Sequence, residues 1–480
     1  MADISIPTES NDPSAARGLW TSRVAFILAA TGSAVGLGNI WRFPYVTGEN
    51  GGGIFVLLYI ACVFIIGIPI MMAEVMLGRR SRRNPIDAMR ELAFQEESSP
   101  HWAWVGRMGV LAGFLILSFY SVIAGWILAY IPRMMNGVFE GLDAAGVEGV
   151  FNNFVMDPER LLFWHTGFMV ITITIVARGV EHGLEKAVRY LMPALFAILV
   201  LLFAYALTTG AFVEALKFMF IPDLSKFKFT SILDAMGMAF FSLSLGMGAI
   251  LMYGSYLPKS ASIAQTTMTV AFADTGVALL SGMAIFPIVF AYSLEPAAGA
   301  GLVFTTLPLA FDQMPLGTLI GTLFFVLLSF AAITSAISLL ESPVAWLIEN
   351  KNMDRGKAAS ICGLITWILG LGTIFSFNLW TGYKWTFSLD LSKVQYVLWE
   401  DKSFFDIVEF ITANIMLPLG GLLIAIFAAH LMRRESCEDE LALPGHHFNI
   451  WYFLLRNIAP LAVGVIFLYS VGFFKLLGLH

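Results

Sequence analysis

Apolar segments of about twenty residues follow one another along the whole chain, separated by short polar stretches. A segment of this length is long enough to cross the hydrocarbon core of a bilayer as one α-helix. The pattern therefore predicts an all-α polytopic membrane protein with about eleven transmembrane helices. The predicted spans lie near residues 22–47, 53–78, 105–133, 161–178, 186–207, 232–257, 263–292, 317–348, 359–377, 405–431 and 450–476.

The composition agrees with a membrane protein and excludes an ordinary soluble domain. Of the 480 residues, 58% are hydrophobic and 13% are charged, and the mean hydropathy is +0.78, whereas soluble domains carry about 25% charged residues. The cysteines Cys62, Cys362 and Cys437 are scattered, so we predict neither a disulfide framework nor a metal site. Membrane lipid, and no nucleic acid, is expected among the partners.

Basic residues concentrate in alternate loops, for example at residues 79–83 and 433–434. Because cytoplasmic loops carry an excess of Lys and Arg, these loops and the N-terminal tail, residues 1–21, are predicted to be cytoplasmic. Eleven spans then leave His480 outside. The first nineteen residues are polar and do not resemble a secretory signal. The short loops favour a bacterial inner membrane.

The first predicted span is interrupted at its centre, in residues 31–44. Gly36 and Gly38 weaken a helix, and Asn39 and Arg42 are costly in hydrocarbon unless they are paired or wetted. A helix that breaks in a protected cavity accounts for all four residues. A small-residue packing face between helices is the alternative, but it does not account for Asn39 and Arg42.

The sixth predicted span, near 232–257, carries a similar interruption, with Gly246 and Gly248 beside Ser242 and Ser244. Two broken helices five spans apart are typical of a 5+5 inverted repeat with a binding site where the breaks meet. We therefore predict one transporter domain. Its first repeat would be residues 22–207, its second 232–431, and 450–476 would add an eleventh helix.

Five sequence motifs resemble those of the neurotransmitter:sodium symporters, and most closely their bacterial amino-acid transporters with the leucine transporter fold. The resemblance extends in order from Arg17 to about Leu431. It implies sodium-coupled symport without covalent chemistry, so the protein is not expected to be an enzyme. The motifs are SAVGLGNIWRFP at 33–44, ENGGG at 49–53, ILSFYSVIAGW at 116–126, FFSLSLGMGAI at 240–250 and AAITSAISL at 331–339.

The resemblance implies two sodium sites. The first would use Ala34, Asn39, Ser242 and Asp274. The second would use the carbonyls of Gly32, Val35 and Ala331 and the hydroxyls of Thr334 and Ser335. The alternatives are a protonated Asp274 bonded to a neighbouring helix and hydroxyls that merely cap a membrane helix.

The family also implies a position for chloride, which its chloride-dependent members surround with a Tyr, a Gln and two Ser. In this chain those positions are occupied by Tyr59, Met238, Ser242 and Ala278. Two of the four partners are missing, and Asp274 lies one helical turn before Ala278. We therefore expect Na⁺ but no chloride.

The implied substrate site has a charged half and an apolar half. Gly36 replaces the Asp of amine-specific members, which favours an amino acid that brings its own carboxylate. Met247 adapts to several side-chain shapes, so we expect a neutral, hydrophobic substrate. The implied substrate-binding residues are Ala34, Leu37, Gly38, Ile116, Tyr120, Phe241, Ser242, Ser244, Met247, Ser335, Ser338 and Leu339.

Charge pairing predicts two gates around that site. Arg42 and Glu409 would form the outer gate, above a lid of Phe241 and Tyr120. The inner gate would consist of Arg17, Trp20, Ser255, Tyr256, Glu341 and Glu349.

The sequence thus predicts a chloride-independent, sodium-coupled importer of a hydrophobic L-amino acid that works by alternating access as a monomer or weak dimer. Two alternatives remain open at this point. One is an importer of small zwitterions such as glycine or alanine, and the other is an amino-acid sensor of the same fold that does not transport.

Overall fold

A computed structural model describes residues 20–294, 301–391 and 394–476. Within these ranges, nine unbroken helices are long and apolar enough to cross a membrane. The bent pair Arg23–Ala34 and Gly38–Glu49 is a tenth candidate among the described residues. We number the spans 1 to 11 in chain order, counting this pair as span 1 and the two shorter helices Phe229–Ser242 and Ala249–Ser255 together as span 6. The unbroken ones are span 2 (Gly53–Ser81), span 3 (Pro100–Met135), span 4 (Pro158–Ala177), span 5 (Val180–Ala206), span 7 (Ile263–Ala291), span 8 (Gly317–Lys351), span 9 (Arg355–Ser376), span 10 (Phe404–Leu431) and span 11 (Gly445–Ser470).

Span 1 breaks where the sequence predicts it. The helix Arg23–Ala34 ends at Val35, whose backbone is extended, and one turn of π-helix, Gly38–Arg42, leads into Phe43–Glu49. The two halves are bent by 50°. The break therefore leaves backbone groups near Gly36 without helical partners in the middle of the molecule.

Span 6 consists of Phe229–Ser242 and Ala249–Ser255. Between them Ser244, Gly246 and Gly248 adopt positive φ angles of 55°, 77° and 75°. Glycine populates this left-handed region readily, whereas a serine does so at a cost. The prediction of a second broken helix is confirmed.

The spans differ in how deeply they are buried. Spans 3 and 8 pack against each other and are mostly enclosed by protein, whereas spans 4, 5 and 11 leave most of their apolar surface open. This arrangement places Tyr120 of span 3 and Ser335 of span 8 in the interior, next to the two breaks. The exposed apolar faces are what a lipid environment requires.

A two-stranded antiparallel hairpin departs from the all-α prediction. Strands β1 (Trp385–Leu391) and β2 (Val394–Lys402) pair between spans 9 and 10. Aromatic residues favour strands, and Phe387 packs on Trp399 across the pair with ring centroids 5.1 Å apart. This stretch is too short and too polar to cross a membrane, so the hydropathy pattern predicts a loop here.

Among the described residues, five α-helices of six or more residues lie outside the spans. They are Pro85–Gln95, Ala144–Val155, Phe212–Phe220, Leu307–Asp312 and Arg434–Leu441. Most of the predicted N-terminal tail, including Arg17, lies outside the described residues, as does His480.

Candidate functional site

A small cavity lies where the breaks of spans 1 and 6 meet spans 3 and 8. Its volume is about 30 Å³, so the side chains that line it nearly fill it. Every predicted substrate-binding residue except Ser242 lines it. The lining residues are Ser33, Ala34, Gly36, Leu37, Gly38, Ile116, Tyr120, Phe241, Ser244, Met247, Ser335, Ser338 and Leu339.

Ser33 is at the centre of a hydrogen-bond network in this cavity, and the sequence analysis missed it. Its Oγ donates to Ser338 Oγ at 2.9 Å. Its carbonyl oxygen accepts from Ser244 Oγ at 2.8 Å and from Ser335 Oγ at 3.3 Å. The network ties the broken part of span 1 to spans 6 and 8. The only available signal was the place of Ser33 at the start of the 33–44 motif.

Gly36 leaves no room for a side chain. A Cβ atom at this position would lie 2.6 Å from Ser335 Oγ and 3.4 Å from the Tyr120 hydroxyl. Heavy atoms of this kind do not approach to 2.6 Å without a hydrogen bond, so even alanine would displace Ser335. The Tyr120 hydroxyl lies beside Leu37 and Ser335, yet it is buried and makes no hydrogen bond of ordinary geometry.

Phe241 and Tyr120 separate this cavity from a second one of about 60 Å³, because both side chains line both spaces. Arg42 and Glu409 line the second cavity. The Arg42 guanidinium lies over the Phe241 ring, 5.1 Å from its centroid. Among the described residues no ion pair within 4.0 Å joins Arg42 to Glu409. The two charges face one cavity without the contact that the sequence analysis proposed.

A wider vestibule of about 470 Å³ adjoins the second cavity. Arg42, Glu49 and Asp234 give it charged walls, and Phe241 forms part of its floor. A polar ligand can therefore reach the Phe241 lid through an aqueous space.

Asn39, Asp274, Tyr59 and Ser242 form one polar cluster beside the break of span 1. Asn39 Nδ2 donates to Asp274 Oδ1 at 2.8 Å and to the Asp274 carbonyl at 3.1 Å. Tyr59 donates to Asp274 Oδ2 at 3.3 Å and lies 3.2 Å from Ser242 Oγ. The structure thus brings together three side chains of the predicted first sodium site, although their role as ligands stays a prediction.

Four residues of the predicted second sodium site, Gly32, Ala331, Thr334 and Ser335, lie close together between spans 1 and 8, and their role as ligands stays a prediction. Ser335 Oγ lies 3.5 Å from the Gly32 carbonyl, and a Cβ on Gly32 would lie 3.2 Å from Thr334 Cβ. The Thr334 hydroxyl donates to the carbonyls of Phe330 and Ala331, each at 3.1 Å. The hydroxyls of Thr334 and Ser335 therefore both lie next to backbone carbonyls. A bound cation could be coordinated by these hydroxyl and carbonyl oxygens together.

Glu74 of span 2 is a second residue that the sequence analysis missed. It is fully buried, and its Oε1 accepts from the Gly246 backbone nitrogen at 2.7 Å, while Oε2 makes no hydrogen bond. This hydrogen bond stabilises the non-helical backbone at the break of span 6. An isolated acid in an apolar span was the available signal, as it was for Asp274.

On the opposite side of the site, aromatic rings and a buried ion pair close the structure. Trp20 packs edge-on against Tyr253 and Tyr256 at 5.4 and 6.2 Å. The Tyr256 hydroxyl donates to Glu341 Oε1 at 2.8 Å, and Arg355 Nη2 donates to Glu341 Oε2 at 2.5 Å. Three residues of the predicted inner gate, Trp20, Tyr256 and Glu341, thus lie next to one another, and their role as a gate stays a prediction. Arg355 was not among the predicted gate residues.

Glu349 and Ser255 both contact residues 82–84, which follow span 2. Glu349 accepts from the Asn84 backbone nitrogen at 3.0 Å and from its Nδ2 at 2.8 Å. The Ser255 carbonyl accepts from Arg82 Nη1 at 3.2 Å. Arg17 lies outside the described residues, so the Arg17–Glu349 pair stays a prediction.

Comparison with known proteins agrees with this arrangement of broken helices. The model of the sodium:neurotransmitter symporter family matches residues 17–140 and 157–394. The chain belongs to the sodium:neurotransmitter symporter family. It is therefore a multi-pass membrane protein and a sodium-dependent secondary transporter, not an enzyme.

Relatives within the sodium:neurotransmitter symporters include an uncharacterized sodium-dependent transporter of Bacillus subtilis (strain 168). It is 38% identical over 457 residues, which cover 94% of this chain and 97% of the relative. A sodium- and chloride-dependent taurine transporter of Bos taurus is 26% identical over 426 residues, covering 76% of this chain and 67% of the relative.

A solved structure of another symporter shares the fold. The crystal structure of MhsT in complex with L-phenylalanine is 43% identical to this chain, with a TM-score of 0.85. The match covers 95% of this chain and 100% of MhsT. The resemblance to the leucine transporter fold, stated from sequence motifs, is confirmed.

Proposed function

We propose that this symporter imports a neutral, hydrophobic L-amino acid together with sodium, by alternating access and without chloride. The observation that carries the proposal is the 2.6 Å separation between a Cβ on Gly36 and Ser335 Oγ. The site has no room at this position for an acidic side chain, so the substrate must supply its own carboxylate. MhsT, which binds L-phenylalanine in its crystal structure, supports an amino acid.

The charged half of the substrate would bind at the breaks. The amides of Leu37 and Gly38, at the N-terminal end of a half-helix, suit a carboxylate, and the Tyr120 hydroxyl beside Leu37 and Ser335 can donate to it. Carbonyl oxygens of Ala34 and Phe241 would receive the ammonium group. Each of these residues lines the cavity between the breaks.

Sodium would bind at the two clusters described above. At the first, Asp274, Asn39, Ser242 and the Ala34 carbonyl would hold an ion beside the substrate carboxylate, so that each ligand raises the affinity for the other. At the second, Thr334 and Ser335 of span 8 would join the carbonyls of Gly32, Val35 and Ala331. An ion there would hold spans 1 and 8 together in the outward-facing state.

Asp274 would supply the negative charge that chloride supplies in chloride-dependent relatives. Its carboxylate accepts a hydrogen bond from the Tyr59 hydroxyl, which also lies 3.2 Å from Ser242 Oγ. Tyr59 and Ser242 are the two expected chloride partners that this chain retains. Met238 and Ala278 offer no hydrogen-bond donor from their side chains. A fixed carboxylate would therefore take the place of the anion.

We further propose that residues 22–207 and 232–431 form two inverted repeats in one transporter domain, with span 11 added to them. Because Lys and Arg are concentrated in alternate loops, the N-terminus would be cytoplasmic and the C-terminus outside, in a bacterial inner membrane. No feature of the described chain requires a partner subunit for the site, which fits a monomer or weak dimer.

The cavity volume of about 30 Å³ favours a second candidate, an importer of glycine or alanine. A hydrophobic side chain would need Met247 or Phe241 to move aside, which the flexible Met247 can do. A third alternative, a sensor that binds without transporting, shares the site and differs only in the movement of substrate.

One experiment separates these candidates. The purified protein is heated in sodium or potassium with each common amino acid, because a ligand that binds the native state stabilises it by about 2.7 kcal/mol at a hundred times its dissociation constant. We expect large neutral amino acids to raise the melting temperature in sodium only. Protection by glycine or alanine alone would select the second candidate, and protection without sodium-driven uptake in vesicles would select the sensor.

The matching decarboxylated amines provide the control for the carboxylate. They should neither protect the protein nor compete for uptake. Equal competition by an amine would contradict the proposal at Gly36.

A further inference from the structure

A groove of about 550 Å³ lies on the outer surface of the bundle, between the start of span 3 and span 10. Its walls combine aromatic, basic and aliphatic side chains, among them His101, Trp104, Arg107, Met108, Leu111 and Leu423. The ring of Trp102, at the start of span 3, packs on Phe427 of span 10 with centroids 5.3 Å apart. The two helices are therefore fixed relative to each other at this end, and the groove is a stable feature of their surface.

The groove changes from polar to apolar along its length. Arg107 and His101 lie near the start of span 3, where Gly106 packs against Pro85, two residues after the basic residues 79–83. Leu111, which is 53% exposed, lies one helical turn further along span 3, about 6 Å from Arg107 along the helix axis. A molecule that fills the groove must therefore have a polar end beside Arg107 and an apolar end beside Leu111 and Leu423.

Arg107 has no acidic partner among the residues that the structure describes. Within the part of the chain that the structure describes, no carboxylate lies within 4.0 Å of its guanidinium, whereas Arg79 and Arg355 are paired with Glu440 and Glu341 at 2.5 Å. Its guanidinium instead lies 4.6 Å from the centroid of the Trp104 ring. Stacking on an aromatic face leaves the planar N–H edge of an arginine free, and that edge suits the oxygens of a phosphate.

We propose that this groove is a binding site for an anionic phospholipid. The phosphodiester would accept hydrogen bonds from Arg107, with His101 beside the headgroup, and one acyl chain would lie along Met108, Leu111 and Leu423. The negative headgroup matches the unpaired arginine, and the depth of the apolar part matches the start of an acyl chain. Span 3 also carries Ile116 and Tyr120, so the lipid would bind one of the helices that form the substrate cavity.

The test compares lipid binding by two arginine variants of the full-length chain. Arg456 is the matched control, because it is also exposed and lies over an aromatic ring, Tyr452, at 5.7 Å, but does not line this groove. Delipidated protein in a nonionic detergent is titrated with dioleoylphosphatidylglycerol or dioleoylphosphatidylcholine, and binding of the first lipid is measured by native mass spectrometry.

We expect Arg107→Gln to weaken binding of phosphatidylglycerol about fivefold, the effect of one basic residue at a membrane surface, and to leave phosphatidylcholine unchanged. Arg456→Gln should bind both lipids as the wild type does. Equal phosphatidylglycerol affinity of the two variants would overturn the proposal.

Two further measurements cover the remaining outcomes. If Arg107→Gln does not fold, Leu423→Trp, which fills the apolar end, must weaken phosphatidylglycerol binding, and unchanged binding would reject the site. If inorganic phosphate protects the wild type against heat as well as phosphatidylglycerol does, the groove takes free phosphate and the lipid proposal is wrong.

Discussion

Asn39 Nδ2 donates a hydrogen bond of 2.8 Å to Asp274 Oδ1, across 235 positions of sequence. The bond joins the break of span 1 to the middle of span 7, and both side chains are fully buried. A buried carboxylate needs compensation by donors or a cation. Asn39 and Tyr59 supply donors, and a bound sodium ion would supply the charge.

Asp274→Asn is therefore expected to lower sodium-driven uptake about tenfold or more, because a charged ligand is lost. Uptake by the wild type should not change when chloride is replaced by gluconate at constant sodium. Initial rates in proteoliposomes measure both effects. Asp223→Asn, in an exposed loop, is the control and should transport normally.

A triple variant tests charge compensation directly. Asp274→Asn combined with Met238→Gln and Ala278→Ser restores the four neutral chloride partners, so uptake should return only when chloride is present. Chloride-dependent uptake by the wild type would contradict the role given to Asp274.

Gly36→Ala is expected to abolish substrate binding, since its Cβ would lie 2.6 Å from Ser335 Oγ. The displaced hydroxyl would lose its contacts with the carbonyls of Gly32 and Ser33. Gly276→Ala is the matched control, because no atom lies within 4 Å of a Cβ at that helical position. The measurement is the rise in melting temperature that the substrate causes in sodium. We expect Gly36→Ala to lose this rise and Gly276→Ala to keep it, and equal rises in the two variants would refute the prediction.

Thr334→Val and Ser335→Ala each remove one oxygen from the proposed second sodium site. We expect each variant to need about tenfold more sodium for half-maximal uptake, the effect of losing one hydrogen-bonding group to a charge. Thr172→Val is the control, because Thr172 is also buried and donates to the backbone carbonyl of Phe168 four residues earlier. If the double variant reaches half-maximal uptake at the same sodium concentration as the wild type, the hydroxyls only cap the helix.

Arg355→Ala should destabilise the protein strongly. It would leave the fully buried Glu341 carboxylate without the guanidinium that now lies 2.5 Å away, and breaking a buried ion pair costs about 3–5 kcal/mol. Arg90→Ala breaks an exposed pair with Asp87 at 2.8 Å and should cost about 0–1 kcal/mol. Thermal unfolding in detergent compares the two variants, and equal melting temperatures would contradict the structural role of the Glu341–Arg355 pair.

The sequence by itself determined the spans and the two breaks. Whether a segment can cross a bilayer depends on its own length and hydrophobicity, which are local properties. Non-helical backbone, which the glycines around Gly36 and Gly246 favour, is not tolerated against lipid, and Asn39 and Arg42 are costly there, so these residues marked the interior cavity. Local motifs of this kind also identified the family.

Only the tertiary structure decided which polar groups meet. Ser33 pairs with Ser338 across 305 positions and Glu74 with Gly246 across 172, and no local pattern encodes such distances. The lack of an Arg42–Glu409 contact, the hairpin of β1 and β2 and the unpaired Arg107 beside Trp104 were likewise decided by packing. A helix fixes the spacing of its own side chains, but the rotation and depth of each helix against its neighbours depend on contacts along the whole chain.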